Sequence, residues 1–547
     1  MVRRQFMLTL SIHLVGLNGL FIVFTTMLNQ LAFHRQTGAV YTNILFGITL
    51  VYIWSLLRRH KRNAWLAAMG VYVFGLGFNA ALISMRLARD DDISLEIIRS
   101  LIIPLCVAVP LYIFRASFNV RSDIRGFGQA VRVSAVLLTI TFIYGVTGFS
   151  LLDTHDFHEE MSLPTAVHRT IDQFDLTTNH QLKPHTKRAV VFMNSLSVIS
   201  VVSIGYVIIA FFQPLRARHT HTKQLFDEAE ALLARNSGRS EDFFKLWPHD
   251  KNYLFSNARQ ACLAYKVQKG VAIVVGDPFG SRKQADNVMR RYEELCYTND
   301  WLPAFVHTET SWSSFYSQHG YNIQLIGQEA VVNVEQFVTQ VNREKYFRQI
   351  SNKFTKQLYT TELLMPPHNS AIVNRLREVS DDWLRQPGRA ERGFMLGYFS
   401  EAYLQQGAIM VARDGAGSIM AFLNQIPSYD EHEANFDMLR HAKGSLGNIN
   451  DFLLTAFLHN LHTQGVARLN LGLCPLAGID ESEDNSVITT AMRFMYSNGN
   501  RFYSFRGLYR FKAKYQPEWS DRFVAYKGGV RGFTRTMRAL SVAMKIK

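Results

Sequence analysis

Cysteine is scarce in this sequence. The four are Cys106, Cys262, Cys296 and Cys474, in 547 residues. No two form a CxxC pair, and none falls in an expected external loop. A disulfide framework or a zinc site is therefore not expected, and the pattern suits a reducing cytoplasm. Several catalytic signatures are missing too. There is no Walker loop, no HExxH and no GxSxG. ATP hydrolysis, zinc proteolysis and serine-hydrolase chemistry thus lose their usual marks. In the C-terminal half the (Q/R)xxGx(G/A) pattern that holds the acetyl-CoA pyrophosphate is matched only by RQPGRA (Arg385 to Ala390). RDGAG (Arg413 to Gly417) has the wrong spacing and reads as a turn. Acids are also in short supply, 44 against 59 Lys and Arg, leaving a formal charge of +15. Such an excess suits polyanions: nucleic acid or an anionic membrane face.

What is present divides the chain in two. Long apolar runs fill the part before Pro214. Six reach the roughly 20 residues that span a bilayer as helix. They lie near Phe6–Leu31, Val40–Leu57, Ala64–Met85, Leu95–Phe114, Ala130–Leu152 and Ala189–Phe212. The first run is too long for a cleavable signal. Basic clusters at Arg3–Arg4, Arg58–Asn63, Arg115–Arg125 and Pro214–Lys223 then share one side. By the positive-inside rule that side is cytoplasmic, with the N-terminus and the C-terminal half. A bacterial inner membrane is the expected location. The long outer loop from Asp153 carries five histidines, His155 and His158 among them, read as solvated rather than as a metal site.

The expected organisation is a six-helix membrane domain (1–214), a linker helix (215–236), two α/β lobes (237–350 and 351–530) and a basic amphipathic tail (531–547). VAIVVGDPFG reads as a buried strand and turn, and SRKQADNVMRRYEELCYTNDW as a helix. LPAFVHT and QEAVVNV resume strands. Pro367 to Arg385 reads as helix, Ala408 to Ile426 as a hairpin, NDFLLTAFLHNLHTQG as helix and ARLNLGLCPL as strand. Two lobes of similar build fit a tandem GNAT-like acyltransferase fold. In the tail, Phe533, Met537, Leu540 and Met544 form a helical stripe flanked by Arg and Lys, the composition of an interfacial or nucleic-acid-binding helix.

Three stretches carry chemistry. In NFDMLRH, Asp437 and Arg440 lie three apart, placed for a salt bridge or for base-and-anion work. After LNLGLCPL comes an acidic loop with Asp480, Glu481, Glu483 and Asp484. It is either solvated or a pocket for a cationic aminoacyl side chain. In FYSFRGLYRFKAKYQPEW, Leu508 to Tyr515 is expected as a strand. Tyr509, Phe511 and Tyr515 would share one face, and Arg510, Lys512 and Lys514 the other. Such a row holds phosphate or guards a sheet edge.

GDPFG, HGYNIQLIGQEAVVNV, LREVSDDWL, ERGFMLGYF, FDMLRH, LNLGLCPL and FRGLYRFKAKYQPEW occur in that order. Together they resemble the catalytic domain of the phosphatidylglycerol lysyltransferase (multiple peptide resistance factor, MprF) family, alanyl-transferring relatives included. The resemblance covers about Ser237 to Tyr526. It implies transfer of an aminoacyl group, lysyl first and alanyl as the other option, from aminoacyl-tRNA to phosphatidylglycerol, with no cofactor and no metal. It also implies altered membrane charge and resistance to cationic antimicrobial peptides. Asp437 becomes the expected base or orienter, and Arg440 the partner of lipid phosphate or oxyanion. Lys512 and Lys514 are expected to hold phosphate, with Arg510 beside them. Glu391 and Arg392 match the family's Glu-Lys pair, with Arg in place of Lys. Asp480 and Glu481 are the expected contacts for a cationic side chain. The six spans lead to the expectation that the chain makes the modified lipid and leaves flipping to another route. A homo-oligomer stays open. The competing readings are transfer to another lipid acceptor and a non-enzymatic, membrane-anchored module that binds anionic lipid or RNA.

Overall fold

A computed structural model describes residues 2–33, 38–87, 95–118, 124–152, 162–174 and 185–193, a few positions between 157 and 199, and 223–546 apart from 237–238, 482–483, 485 and 499–504. The chain divides into two compact units. One is Met1–Arg216 with Tyr297–Asp300, and the other is Ala217–Cys296 with Trp301–Lys547.

The N-terminal unit is helical. Val2–Phe33, Gly38–Leu57, Arg62–Leu87, Leu95–Ile113 and Ile124–Leu151 occupy the first five expected spans. Among the described residues one stretch, Phe6–Leu28, is long and apolar enough by itself to cross a membrane. Ile44–Leu57, Leu101–Ile113 and Ala135–Leu151 are shorter apolar helices. Most of the sixth expected span, and His155 and His158, lie outside the described residues. The first two helices pack backbone to backbone. A Cβ on Gly19 would stand 2.6 Å from the Gly47 carbonyl oxygen, and the reverse holds equally.

The C-terminal unit is α/β. Its strands are β1 (Asn252–Phe255), β2 (Ala261–Gln268), β3 (Val271–Val275), β4 (Phe279–Gly280), β5 (Leu302–Glu309), β6 (Asn322–Asn333), β7 (Thr360–Leu364), β8 (Ile409–Arg413), β9 (Ile419–Ile426), β10 (Glu433–His441), β11 (Arg468–Pro475) and β12 (Glu518–Tyr526). They form one sheet in the order β1-β2-β3-β5-β12-β6-β11-β10-β9-β8-β7, with β4 beside β2. Each lobe repeats one plan. An antiparallel run leads into a parallel pair, β3 with β5 and β10 with β11. A helix bridges each pair, Ala285–Thr298 in the first lobe and Ile449–Thr463 in the second. This repeat agrees with the expected tandem GNAT-like build. The lobes are not separate in sequence, however. β12 leaves the second lobe and pairs between β5 and β6 of the first. A division at residue 350 therefore misses the exchange.

The hydrophobic pattern explains most of these elements. The helix Ile449–Thr463 buries Leu453, Leu454, Phe457, Leu458 and Leu461 in the second-lobe core. Each such side chain contributes about 1.5–3 kcal/mol of burial. The linker helix Lys223–Arg235 buries Ala229 and Leu233 against the first lobe.

Two expectations are corrected. Leu508 to Tyr515 is not a strand: Phe505–Ala513 is a helix, and the strand β12 begins at Glu518. Alternating aromatic and basic residues imitate a period of two, but the burial follows 3.6. Gly507 and Arg510 face solvent while Phe511, Lys512 and Tyr515 turn inward. Gln516, at φ +47°, turns the chain before Pro517. The basic tail is not free either. Helix Gly529–Ala543 buries Ala539, Leu540 and Ala543 in the first-lobe core, with Phe533, Met537 and Met544 packed on it. The predicted apolar stripe exists, but protein covers it.

Candidate active site

Asp437 and Arg440 sit on β10, where a regular strand would point them to opposite faces. A bulge changes that. Phe436 pairs with Gln425 and Leu439 with Leu423, so three steps on β10 match two on β9. The extra residue resets the alternation. Phe436 and Leu439 pack on the core beneath Ile449–Thr463, while Met438 joins the opposite cluster around Tyr403 and Trp247. Asp437 and Arg440 share that second face.

Both hydrogen bonds to Asp437 fall on Oδ2. The Gly397 amide donates at 2.8 Å and the Tyr403 hydroxyl at 2.9 Å. Oδ1 carries no protein hydrogen bond among the described residues. Burial pushes the carboxyl up to about 6, against the opposing pull of those two donors and of Arg440. A carboxyl in that range is suited to proton transfer near neutral pH. Tyr403 is held in place by Trp247, stacked at 5.2 Å, and Phe243, at 6.2 Å.

Arg440 is 4% exposed and forms a bidentate pair with Glu391, at 2.7 and 2.8 Å. It also donates to Ser380 Oγ, and its guanidinium lies 4.9 Å from the Trp383 ring centre. Ser380 and Trp383 share a face of the helix Ser370–Leu384. The expected direct grip of Arg440 on a lipid phosphate is therefore corrected. The guanidinium is committed to Glu391, and its charge acts on Asp437 from the side.

The other expected site residues separate from this centre. Lys512 is buried and donates to the carbonyls of Gly472 and Leu473, at 2.8 and 3.1 Å. Burial pulls its ammonium below the usual lysine range. It braces the bend in β11 rather than a phosphate. Lys514 binds Asp451 and the Tyr346 hydroxyl, and Tyr515 donates to the same carboxylate. That ion pair is structural too. Arg510 is exposed, with no ion pair among the described residues. Arg392, next to Glu391 in the chain, is exposed, and its backbone bridges to Lys545. Asp480 and Glu481 are exposed on the loop after β11, and no described contact joins them to Asp437. Asp484 accepts from the Ser486 amide and the Thr489 hydroxyl, at the start of helix Val487–Asn498.

Sequence reasoning missed Tyr403, Gly397, Ser380 and Trp383. All four lie inside motifs already noted or beside them, ERGFMLGYF and LREVSDDWL above all. It also missed a second polar cluster. Glu241, His307 and Glu329 bring ligand-type atoms within 4.8 Å of one another. A backbone turn links the two places: Ser240 donates to Glu433 of β10, and Phe243 and Trp247 follow directly.

Comparison with known proteins identifies the family. A phosphatidylglycerol lysyltransferase of Bacillus subtilis (strain 168) is 29% identical over 361 residues, covering 64% of this chain and 41% of that relative. One of Staphylococcus epidermidis is 24% identical over 330 residues, covering 60% and 39%. The chain spans about two fifths of the length of these curated relatives. The solved structure of L-PGS from Bacillus licheniformis aligns with a TM-score of 0.50 at 29% identity, covering 58% of this chain and 96% of that one. The C-terminal domain of a putative lysylphosphatidylglycerol synthetase from Agrobacterium fabrum gives 0.51 at 25%, covering 59% and 97%. The family described as "Phosphatidylglycerol lysyltransferase, C-terminal" matches residues 229–526. That span is more than half of the chain, and through it the protein belongs to the phosphatidylglycerol lysyltransferase family.

Proposed function

We propose that the protein transfers an aminoacyl group, lysyl in the first place, from aminoacyl-tRNA to a glycerol hydroxyl of phosphatidylglycerol. The observation that carries this is Asp437: a carboxylate raised to about 6, fixed through Oδ2 and open at Oδ1. The lipid hydroxyl attacks the ester carbonyl while Oδ1 takes its proton. The tetrahedral oxyanion collapses, the ester bond to the tRNA ribose breaks, and the proton passes to that leaving oxygen. No net charge is made and no ATP is consumed, because the donor ester is already activated. Holding donor and acceptor together supplies much of the rate. Arg440, fixed by Glu391, adds positive potential where the oxyanion forms.

The N-terminal unit supports a membrane setting. Leu17, Phe21, Phe24, Phe74, Ile113 and Leu151 each expose 60% or more of their surface. Lipid is the solvent in which such side chains belong. A multi-pass anchor, with the C-terminal unit on the cytoplasmic side, brings the enzyme to its lipid. The product is less anionic than its precursor, or cationic with lysine, and so weakens the binding of cationic antimicrobial peptides. An alanyl donor would produce the smaller of these changes.

The test is reconstitution of the full chain with phosphatidylglycerol vesicles and radiolabelled lysyl-tRNA or alanyl-tRNA, followed by lipid mass spectrometry. Labelled aminoacyl-phosphatidylglycerol, lost in Asp437→Asn, is the expected result. A folded protein that labels no lipid from either donor would sink the proposal.

A further inference from the structure

The second polar cluster lies where the lobes exchange strands. His307 is an extra residue in β5: Thr308 pairs with Phe523 and Val306 with Val524, which leaves His307 unmatched. Its φ of +67° is in the left-handed region, which residues other than glycine seldom occupy. Register also shifts on β6 against β12 at Arg522/Phe523, and on β11 against β6 at Asn470/Leu473. Three irregularities around one point re-aim side chains toward it.

The groups so gathered are incompletely paired. His307 Nε2 stands 3.7 Å from Glu329 Oε1, too far for a hydrogen bond. Neither ring nitrogen has a hydrogen-bond partner among the described residues. Burial lowers the imidazole to about 4, so it is neutral and able to accept. Each carboxylate has one oxygen fixed from outside. Asn470 donates to Glu241 Oε2 at 3.3 Å, and Arg522 to Glu329 Oε2. Arg522 is 4% exposed, yet its Nε has no partner among the described residues. A buried donor is left waiting for an oxygen.

Spacing decides between ligands. Metal–ligand bonds of about 2.0–2.2 Å put neighbouring ligand atoms roughly 3.0–3.5 Å apart. A primary ammonium with hydrogen bonds of about 2.8 Å puts its three acceptors roughly 4.6 Å apart. His307 Nε2 and Glu329 Oε1 stand 3.7 Å apart, wider than the metal spacing, and all three ligand atoms lie within 4.8 Å of one another, a span that admits the ammonium. Arg239 and Arg522 also come within 3.7 Å of Glu241 Oε1, which opposes a dication more than a single charge.

We infer that Glu241, His307 and Glu329 form a tripod that binds a primary ammonium of the aminoacyl group being transferred, with Arg522 Nε donating to an oxygen of the same group. This rests on the aminoacyl-transfer reading above. The segment that carries Glu241 runs on into Phe243 and Trp247, which hold Tyr403 against Asp437. Amine recognition and the base are thus joined by one short stretch of chain.

The test uses the full chain with phosphatidylglycerol and three donors: lysyl-tRNA, its Nα-acetyl form and its Nε-acetyl form. Wild type is expected to disfavour one acetylated donor by about tenfold or more in kcat/KM, the worth of a charged hydrogen bond. Which one it disfavours tells whether the α- or the ε-ammonium occupies the tripod. Glu241→Gln should bring that ratio to within about threefold of unity. If Glu241→Gln does not fold, His307→Asn carries the same test, since asparagine tolerates the left-handed backbone. Discrimination unchanged in the folded variant would overturn the tripod alone. A wild type that transfers nothing from any donor would overturn the tripod together with the transfer reaction.

Discussion

Tyr403 donates its phenolic hydrogen to Oδ2 of Asp437 across 2.9 Å, from a short helix to a bulged strand. The bond favours the ionised carboxylate and so opposes the upward push of burial. With both, Asp437 stands at about 6. Transfer activity is therefore expected to fall as pH drops through about 6, as the base takes up a proton. Tyr403→Phe removes one of two donors, and the acid limb should move to higher pH by about one unit, the scale of a charged hydrogen bond. Rate against pH for the two proteins, from pH 5 to 8, decides it. A limb that does not move would show that Asp437 is not the titrating group.

The same shift makes Asp437 a burden on the fold. Its pKa is higher folded than unfolded, so between about 3.8 and 6 the folded state binds more proton. Stability from this group is present below that window and is lost as pH rises through it. At pH 7 the loss is on the order of 2–3 kcal/mol. Asp437→Asn should accordingly raise the melting temperature at pH 7 and abolish transfer. At pH 4 the stability difference should shrink. Calorimetry at the two pH values checks the sign.

Glu391 and Arg440 give the opposite expectation. Arg440 is nearly buried, and Glu391 neutralises it in bidentate geometry with only 24% of its side chain exposed. Glu391→Gln leaves a buried guanidinium without its counter-charge. Breaking a fully buried pair costs about 3–5 kcal/mol, and the partial exposure of Glu391 trims this to about 2–3 kcal/mol. Denaturant melts should show the loss. Asp437 should become more acidic at the same time, because Glu391 raises its pKa.

Much of this was legible in the sequence. Buried strands such as Val271–Val275 and the hairpin Ile409–Ile426 announced themselves through apolar runs and turn residues. Asp437, Arg440 and Glu391, singled out by their motifs, come together in the fold. What failed had physical causes. A bulge cannot be read from spacing, so an interval of three residues does not reveal that Asp437 and Arg440 share a face. β12 crosses from one lobe to the other, a long-range pairing without local mark. The cluster of Glu241, His307 and Glu329 is assembled from distant segments, and no spacing in the chain encodes it. Periodicity placed the stripe of Phe533, Met537, Leu540 and Met544 on a helix, but it does not say whether lipid or protein covers that stripe.

The basic run near the C-terminus separates cleanly into two kinds of cation. Lys512 is 6% exposed and caps the carbonyls of Gly472 and Leu473, where β11 bends against β6. Lys512→Ala would leave those carbonyls without their donor and open a cavity. The expected loss is about 1–3 kcal/mol of stability, seen as a lower denaturation midpoint. Arg510, two residues earlier, faces solvent from the same helix. Arg510→Ala should leave the melting curve unchanged. If Arg510 meets a tRNA phosphate, the salt dependence of tRNA binding should fall by about one unit in slope. Titrations at several salt concentrations measure it. A wild-type slope in Arg510→Ala would remove this arginine from the phosphate contacts, and a wild-type melt in Lys512→Ala would refute the bracing role.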